Sequence, residues 1–177
     1  MLLSHDEIIE LIRKGIIENA DEDCVNSSSL DIHLGSKILI ECFPFVADLS
    51  LAHRESLTTI PTDISRYFKL TPGQFILAHS REIFHLPNNI SAEYKLKSSM
   101  ARIGLEHLNA GWCDAGWNGS VLTLELKNMT QFHNICLTKD VKIGQVIFFK
   151  HTPVPQDKSY SIRGRYNGDK SVSGAKS

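Results

Sequence analysis

Four polar side chains in the middle of the chain could support proton transfer or nucleotide binding: Ser98, Arg102, Asp114 and Glu125. A carboxylate can accept a proton from water, and a hydroxyl or a guanidinium can orient an anionic ligand. These residues lie in three short stretches, K-S-S-M-A-R at 97–102, A-G-W-C-D-A-G-W at 110–117 and L-T-L-E-L at 122–126. No other part of the sequence concentrates polar chemistry in this way.

Ser98 and Arg102 are four positions apart in a stretch that could begin a short helix. At that spacing the hydroxyl and the guanidinium share one face near the positive end of the helix, where an anion would bind. An ordinary N-cap followed by a solvated arginine has the same pattern, and these two residues alone favour that simpler interpretation.

Asp114 is followed by the small residues Ala115 and Gly116, which let a ligand approach the backbone closely. Its carboxylate could accept a hydrogen bond from a sugar hydroxyl, and an Asx-type turn is equally consistent with the local sequence. We interpret Trp112 and Trp117 as core or interface aromatics rather than as stacking platforms for a base.

Glu125 lies in a segment where leucines 122, 124 and 126 alternate with Thr123 and Glu125. In a strand this alternation places the threonine and the glutamate on the same face. The residues alone favour a solvent-facing Glu125. If the face instead lined a pocket, desolvation would raise the pKa of the carboxyl group and allow it to move protons.

These residues must be positioned by the surrounding elements, of which the first is a helix. Ser4 and Glu7 form a capping-box pattern, and apolar residues continue at helical spacing until Gly15. Short runs with strand character follow, separated by turn residues, at 30–34, 37–40, 74–79, 91–96, 121–126 and 141–149. The first two of these runs, joined by Gly35-Ser36, predict a hairpin. The pattern predicts a mainly β fold, a distorted barrel or jelly roll with an N-terminal helix and few short helices.

The 177 residues are enough for one core, so we expect a single β domain over 1–151. Proline, glycine, serine and lysine predominate after His151, which predicts a flexible C-terminal tail over 152–177.

Composition excludes several classes of function. The net charge of -1 gives no broad basic surface, which argues against a nucleic-acid partner. Four scattered cysteines without a C-x-x-C pair favour reduced thiols and a cytoplasmic location. The sequence shows neither a signal peptide nor an apolar run long enough for a membrane span, so we expect no membrane association.

The eight histidines show no metal-ligand spacing, and the zinc deaminase pattern of H-x-E with P-C-x-x-C is absent. Any deamination by this chain is therefore expected to activate water without a bound transition metal. No G-x-S-x-G elbow supports a serine hydrolase.

Taken in order, K-S-S-M-A-R, A-G-W-C-D-A-G-W-N-G, T-L-E-L-K-N and I-G-Q at 143–145 resemble the signature blocks of the dCTP deaminase family, relatives of the trimeric dUTPases. The similarity extends from 28–35 to Tyr160 and Arg165. It implies a dUTPase-like homotrimer with active sites between subunits, which converts dCTP and water into dUTP and ammonia. It also implies Mg²⁺ bound through the triphosphate, with no metal ligands on the protein and no zinc.

By the same resemblance, Glu125 is the general acid and base, and Ser98 and Arg102 support the water and the nucleotide from a neighbouring subunit. Asp114 would hold the deoxyribose, Ala110 would offer backbone contacts near the base, and Thr123 would flank the glutamate. The further substrate contacts that the resemblance implies are Lys97, Ser99, Leu124, Gln145, Tyr160, Arg165 and Asp169, with Tyr160, Arg165 and the tail closing over the phosphates.

Three residues depart from the family pattern: Lys97 replaces an arginine, Arg165 a lysine, and Asp169 a glutamine. The loop between Arg102 and Asp114 is one residue shorter than usual, and the run at 119–125 is one longer. A slip of one residue in that strand would reverse the face of the glutamate unless a bulge absorbs it.

Other functions remain open. Ala110-Gly111-Trp112 resembles the bifunctional members, which also remove pyrophosphate and yield dUMP. A non-catalytic nucleotide-binding regulatory module on the same fold is a further alternative, prompted by Asp169 and the shifted spacing. A pure dUTPase is disfavoured because the G-V-I-D-x-D-Y-R-G hairpin is absent. Feedback inhibition by dTTP and a preference for 5-substituted cytosines are not determined by the sequence.

Overall fold

The computed structural model describes residues 1–42 and 48–176 and places most of its regular structure in antiparallel strands. The helices are α1 His5–Arg13, α2 Ser98–Ala101 and α3 Tyr160–Arg163, and single 3₁₀ turns span Glu22–Cys24 and Gln156–Lys158. The strands are β1 Ile17–Glu18, β2 Leu30–His33, β3 Lys37–Glu41, β4 Thr59–Asp63, β5 Phe68–Leu70, β6 Phe75–His85, β7 Ile90–Leu96, β8 Leu105–Glu106, β9 Trp112–Cys113, β10 Asn118–Asn128, β11 Ile135–Leu137 and β12 Lys142–Lys150.

Helix α1 begins and ends where the sequence predicts. The backbone N–H of Ser4 and its hydroxyl each lie 2.9 Å from the Glu7 carboxylate, which satisfies a donor that the helix start leaves free. Ile8 and Leu11 are buried in the core, and Gly15 takes the left-handed conformation with φ of 69° after the last turn. The helix therefore covers one side of the β structure with its apolar face.

The strands form three sheets. One has the order β4-β3-β6-β10-β8, with β1 also paired to β6, a second has the order β2-β12-β7-β9, and β11 pairs with β5. Leucine, isoleucine, valine and phenylalanine side chains from the two larger sheets and α1 share one core. The predicted mainly β fold with an N-terminal helix and few short helices is confirmed.

The predicted hairpin between the runs at 30–34 and 37–40 is wrong, although both runs are strands. β2 pairs with β12, whereas β3 pairs with β4 and β6, so the chain passes from one sheet to the other between them. Gly35 allows this passage because a Cβ at that position would overlap the His79 ring. The alternation of apolar and polar residues correctly predicts both strands. The passage between the sheets depends on His79, which is 44 residues after Gly35 and could not be inferred from the local pattern.

Two irregularities in the pairing of β10 with β6 set the face of the functional strand. Asn118 pairs with His85 and Ser120 with Phe84, so Gly119, with φ of 68°, is an extra residue on β10. This bulge accommodates one additional residue before the 122–126 alternation. The leucines of that segment therefore enter the core while the intervening residues face outward.

On β6 the second irregularity lies at 80–82, opposite Leu122. The Ser80 hydroxyl accepts the Leu122 N–H at 2.9 Å and donates to the Glu82 carbonyl at 2.8 Å, replacing the interrupted ladder. No helix in the described part of the chain is long and apolar enough to cross a membrane.

Candidate active site

A cavity of about 500 Å³ lies against the outward face of β10. Its walls come from five parts of the chain: strand β6, strand β10, the loop around β9, residues 55–57, and the C-terminal segment. The lining residues are Glu55, Ser56, Leu57, Phe75, Leu77, Ala110, Trp112, Cys113, Asp114, Trp117, Val121, Leu122, Thr123, Glu125, Tyr160, Tyr166, Asp169, Ser173, Gly174 and Ala175.

Glu125 lies on the cavity wall beside Thr123, not on an open solvent face. Its strand neighbour on β6 is Leu77, so an apolar side chain lies next to the carboxylate. Desolvation by burial raises the pKa of Glu125 above its ordinary value. No side chain in the described ranges makes a hydrogen bond to this carboxylate, which leaves its oxygens available to water or a ligand.

The loop around β9 contributes a second carboxylate. The indole N–H of Trp112 donates to Asp114 Oδ1 at 2.9 Å, and the Asp114 carbonyl accepts the Trp117 N–H at 3.1 Å in a tight turn. Gly111 packs so closely on the Tyr94 carbonyl that a Cβ there would overlap it. The backbone carbonyl of Asp114 closes this turn, so it is not the Asx-type turn that the sequence allowed. The carboxylate, held by Trp112, lines the cavity instead.

Trp112 has a role that the sequence interpretation missed. Trp117 is buried and stacks on Phe84 with a centroid distance of 5.6 Å, as expected for a core aromatic. Trp112, in contrast, is 58% exposed and lines the cavity while orienting Asp114. In β9 the Trp112 side chain faces outward while that of Cys113 is buried, a difference that only the structure shows.

The C-terminal segment folds over the cavity of its own chain. The Tyr166 carbonyl accepts hydrogen bonds from the Trp117 indole at 2.9 Å and from the Ser120 hydroxyl at 2.8 Å. The Asp169 carbonyl accepts the Val121 N–H at 2.8 Å, which continues the edge of β10. These bonds hold residues 166–169 beside the cavity. This part of the segment, which the composition predicts to be flexible, therefore has defined hydrogen-bond partners.

Asp169 is itself held within the tail. Its carboxylate accepts hydrogen bonds from Lys176 Nζ at 2.5 Å and from the Ser173 hydroxyl at 2.9 Å. Gly174 then packs on Ser56, where a Cβ would overlap the serine hydroxyl. The residues at 55–57 and 173–175 thereby meet across the cavity, a contact that no local pattern in the sequence could indicate.

Tyr160 reaches the cavity through the start of α3. Its backbone N–H donates to the Ala115 carbonyl at 3.0 Å, and the preceding Ser159 is buried with its hydroxyl 2.6 Å from Asn88 Oδ1. Burial raises the pKa of Tyr160, so its hydroxyl stays protonated and able to donate at neutral pH. Ala110 also lies on the cavity wall.

The remaining candidate residues do not line the cavity within this chain. Ser98 is the first residue of α2, and Lys97 rather than Ser98 is its N-cap. Ser98, Ser99 and the C-cap residue Arg102 are all exposed. Lys97 pairs with Asp31 at 2.6 Å. Elsewhere, Gln145 is half-buried on β12, Leu124 has its side chain in the core, and Arg165 is exposed. A ligand could contact Leu124 only through its backbone.

The charge of the cavity is unbalanced. Glu55, Asp114, Glu125 and Asp169 line it, and no lysine or arginine does so among the residues that the structure describes. Lys176 offsets only Asp169. An anionic ligand would therefore need positive charge from outside these walls.

Comparison with known proteins identifies what the chain is similar to. A family model described as dCTP deaminase-like matches residues 2–151. The chain is 37% identical over 158 residues to a dCTP deaminase, dUMP-forming, of Hydrogenobaculum sp. strain Y04AAS1, covering 88% of this chain and 85% of that protein. It is 36% identical over 174 residues to a protein of the same name from Aquifex aeolicus strain VF5, covering 97% of this chain and 92% of that protein.

A solved structure agrees with this result. The crystal structure of 2′-deoxycytidine 5′-triphosphate deaminase from Agrobacterium tumefaciens superimposes with a TM-score of 0.67 and 25% identity. The match covers 83% of this chain and 47% of that chain, so the chain spans about half the length of the protein it resembles there.

Proposed function

The chain belongs to the dCTP deaminase-like family, and from that membership we propose that it converts dCTP into dUMP, ammonia and pyrophosphate. The observation that carries the proposal is Glu125, a carboxylate with raised pKa and no side-chain partner in the described residues, on the wall of a cavity of about 500 Å³.

The choice of product follows from the relatives. Those from Hydrogenobaculum, Aquifex aeolicus and Methanosphaerula palustris all carry the name dCTP deaminase, dUMP-forming. The sequence led first to dUTP as the product, with dUMP as the alternative suggested by Ala110-Gly111-Trp112. The names of the relatives favour dUMP as the product. We therefore propose two steps, deamination of dCTP followed by loss of pyrophosphate.

In the first step Glu125 accepts a proton from water as the water oxygen attacks C4 of cytosine. The carboxyl group then delivers protons to the amine, and the C4–N bond breaks to release ammonia. A raised pKa suits both directions, because a more basic carboxylate accepts the proton more readily and its acid form persists closer to neutral pH. Leu77 beside it keeps the surroundings partly apolar. In the second step a further water hydrolyses the α–β phosphate bond of dUTP.

Asp114 and the tail provide binding contacts in this proposal. Asp114, oriented by Trp112, accepts a hydrogen bond from the 3′-hydroxyl of deoxyribose. Tyr160 donates from its protonated hydroxyl, and the segment at 166–175 covers the nucleotide and limits access of bulk water. Arg165 and Lys97 remain candidates for phosphate contacts when the nucleotide is bound.

The acidic lining supports a role for Mg²⁺. A triphosphate beside Glu55, Asp114 and Asp169 requires cationic charge, and the lining supplies no lysine or arginine in the described residues. Mg²⁺ bound to the phosphate oxygens fits that deficit, and it supplies neutralisation of the triphosphate charge. We assign no residue of this chain as its direct ligand.

A neighbouring subunit would supply the remaining charge. Ser98, at the start of α2, and Arg102, directly after its end, are exposed and do not line the cavity of their own chain. This arrangement is expected if they act on an adjacent chain. Large apolar side chains near α2 are also exposed: Ile103 by 54%, Leu108 by 51% and Met129 by 59%. The Met129 N–H donates to the Gly104 carbonyl at 2.8 Å, which places Met129 beside the helix. We propose that this surface is buried in a homotrimer.

One assay tests the proposed reaction: purified protein with Mg²⁺ and dCTP, in which ammonia and pyrophosphate are measured in the same reaction. Equal amounts of both products support the dUMP-forming reaction. Ammonia without pyrophosphate would restrict the protein to deamination. No turnover of dCTP, together with pyrophosphate release in a parallel reaction with dUTP, would replace the proposal by a dUTPase. Binding of dCTP or dTTP by calorimetry without product would replace it by a regulatory module.

A further inference from the structure

A second group of ligand-capable side chains lies outside the cavity, where the turn after β1 packs on β2. Asp21, Cys24 and His33 each place one possible ligand atom within 4.8 Å of the other two. We propose that these residues bind a thiophilic divalent cation such as Zn²⁺, in a structural role that does not depend on the proposed deaminase.

The backbone brings these residues together from separate positions. The Cys24 N–H donates to the Asp21 carbonyl at 2.9 Å in the 3₁₀ turn, and the Asn26 N–H donates to the Ser29 carbonyl at 2.8 Å. The chain thus reverses between the turn and β2, which lays Cys24 beside His33. The spacing D-x₂-C-x₈-H differs from the common spacings of structural zinc ligands, so only the fold shows the cluster.

His33 has the arrangement of a metal ligand with an oriented ring. Its Nδ1 lies 2.7 Å from Glu82 Oε1, and its backbone N–H donates to Glu82 Oε2 at 3.0 Å. A proton on Nδ1 leaves the lone pair of Nε2 directed at Cys24, whose sulfur is 3.8 Å away. Zn–S of about 2.3 Å and Zn–N of about 2.0 Å at a tetrahedral angle would separate these two atoms by about 3.5 Å. A carboxylate behind the histidine is the usual support of a zinc ligand.

Asp21 has a corresponding support. Arg81 donates to Asp21 Oδ2 at 2.7 Å, which leaves the other carboxylate oxygen to coordinate a cation. Arg81 also lies 3.5 Å from Glu82, and its charge offsets that carboxylate. A dication with one thiolate and one carboxylate is then neutral overall.

The donor set and its exposure identify the kind of cation. One sulfur, one nitrogen and one oxygen suit Zn²⁺ better than Mg²⁺ or Ca²⁺, which prefer oxygen. Cys24 is 6% and His33 5% exposed, so two ligands are shielded. Asp21 is exposed, so water can fill a fourth position. The bound cation would join the turn at 21–24 to β2 and, through Glu82, to β6.

Cobalt substitution gives the direct test. Reduced, chelator-treated protein is titrated with Co²⁺, and we expect a thiolate-to-cobalt charge-transfer band and tetrahedral d–d bands that saturate at one equivalent. Zn²⁺ should displace the cobalt and raise Tm. The matched controls are Cys42→Ser and Cys136→Ser, which alter exposed cysteines and should leave every signal unchanged.

Substitutions distinguish the residues that would bind the cation from Glu82, which would only orient His33. Cys24→Ser should remove the charge-transfer band and the effect of Zn²⁺ on Tm. Glu82→Gln should weaken Zn²⁺ binding by about 10–100-fold, as expected when the partner of a ligating histidine is changed. The exposed Asp21→Asn substitution keeps the fold and should also weaken binding, so the test does not depend on the buried positions alone.

X-ray absorption of the zinc-loaded natural chain needs no variant. One sulfur and two or three nitrogen or oxygen scatterers support the site. Absence of a sulfur scatterer, absence of the cobalt band, or a band that survives Cys24→Ser would overturn the proposal. Loss of ammonia release on zinc removal at temperatures well below Tm would contradict the structural role, because these residues lie outside the cavity wall. The deaminase proposal would survive any of these outcomes.

Discussion

Two carboxylates on neighbouring strands of the same sheet, Glu82 on β6 and Glu125 on β10, have opposite surroundings. Desolvation raises the pKa of both. Glu82 is fully buried, and each of its oxygens lies within 3.0 Å of a nitrogen of His33. Glu125 faces the cavity without a hydrogen-bonding side chain in the described part of the molecule.

The difference shows that burial alone does not prepare a carboxylate for proton transfer. Glu82 must break its contacts with His33 before it can bind a proton from water, and that loss would leave a buried group unsatisfied. Glu125 can accept a proton with no such loss, because its oxygens face the cavity. Glu82 is therefore suited to stabilising the packing of its strand against β2, and Glu125 to proton transfer, although both are glutamates on adjacent strands.

The largest expected effect comes from replacing the unpartnered carboxylate. Glu125→Gln keeps the size and polarity of the side chain but removes its proton transfer, so the rate of ammonia release from dCTP should fall by about 10²–10⁴-fold. The circular dichroism spectrum and the elution volume should not change. The measurement is ammonia production at saturating dCTP and Mg²⁺.

Glu106→Gln is the matched control, since Glu106 is an exposed carboxylate on β8, the other neighbour of β10. It should retain the wild-type rate. An equal loss in both variants would mean that charge on this sheet, and not the position of Glu125, governs the rate. Full activity of Glu125→Gln would remove the proposed mechanism.

The partnered carboxylate should behave in the opposite way. Glu82→Ala leaves His33 buried without its acceptor, and the free energy of unfolding should fall by about 3–5 kcal/mol. The rate of ammonia release per folded molecule should change little, because Glu82 is not on the cavity wall. Urea denaturation at pH 7 measures the first quantity and turnover at low temperature the second.

A double variant sharpens this result. Replacing the pair together by Glu82→Met and His33→Leu removes both polar groups, so most of the lost stability should return. If the double variant is no more stable than Glu82→Ala, the lost free energy of unfolding comes from packing and not from leaving His33 without its acceptor.

Several elements could be predicted from the sequence because their causes are local. The capping box of α1 joins Ser4 to Glu7, three residues later, and the leucines of β10 alternate within five residues. The polar clusters around Asp114 and Glu125 were also visible. The structure places both on the wall of one cavity, whereas the residues alone favoured a solvent-facing Glu125.

The rest depends on contacts between distant residues. The alternation put Thr123 and Glu125 on one face but could not show that 55–57 and 173–175 would cover it. The predicted hairpin between β2 and β3 is wrong because Gly35 packs against His79 on β6, and the chain passes there to the other sheet. The same limit applies to Glu82, whose partner His33 lies 49 residues away.

Trp112 offers a smaller test of how the cavity orients its second carboxylate. Trp112→Phe removes the indole N–H that donates to Asp114 at 2.9 Å while keeping an aromatic ring. A hydrogen bond to a charged group contributes about 1.5–3 kcal/mol, so the KM for dCTP should rise at least roughly tenfold with a smaller change in kcat. Trp117→Phe is unsuitable as a control because that indole also holds the tail. Steady-state kinetics of Tyr67→Phe, at an exposed aromatic outside the cavity, should match the wild type.

The smallest expected effect concerns stability and pH. The pKa of Glu125 in the folded chain lies above its ordinary value of 4.5, so protonation favours the folded state. The stabilisation from this group is complete below its unfolded pKa and is lost as the pH rises through the folded pKa. At neutral pH the charged carboxylate therefore destabilises the fold, and Glu125→Gln should be more stable than the wild type. Each kcal/mol gained would raise Tm by about 2–4 °C in a chain of this size.

That advantage of Glu125→Gln should disappear as the pH falls below 4.5, where the wild-type carboxyl group is neutral in both states. Calorimetric scans of the two proteins between pH 4 and pH 8 measure the difference. Equal Tm values at all pH values would mean that the cavity solvates Glu125 fully, and the distinction from Glu82 would then rest on hydrogen bonding alone. A Glu125→Gln variant that is less stable at pH 7 would show that the carboxylate has a stabilising partner, and the contrast between the two strands would be lost.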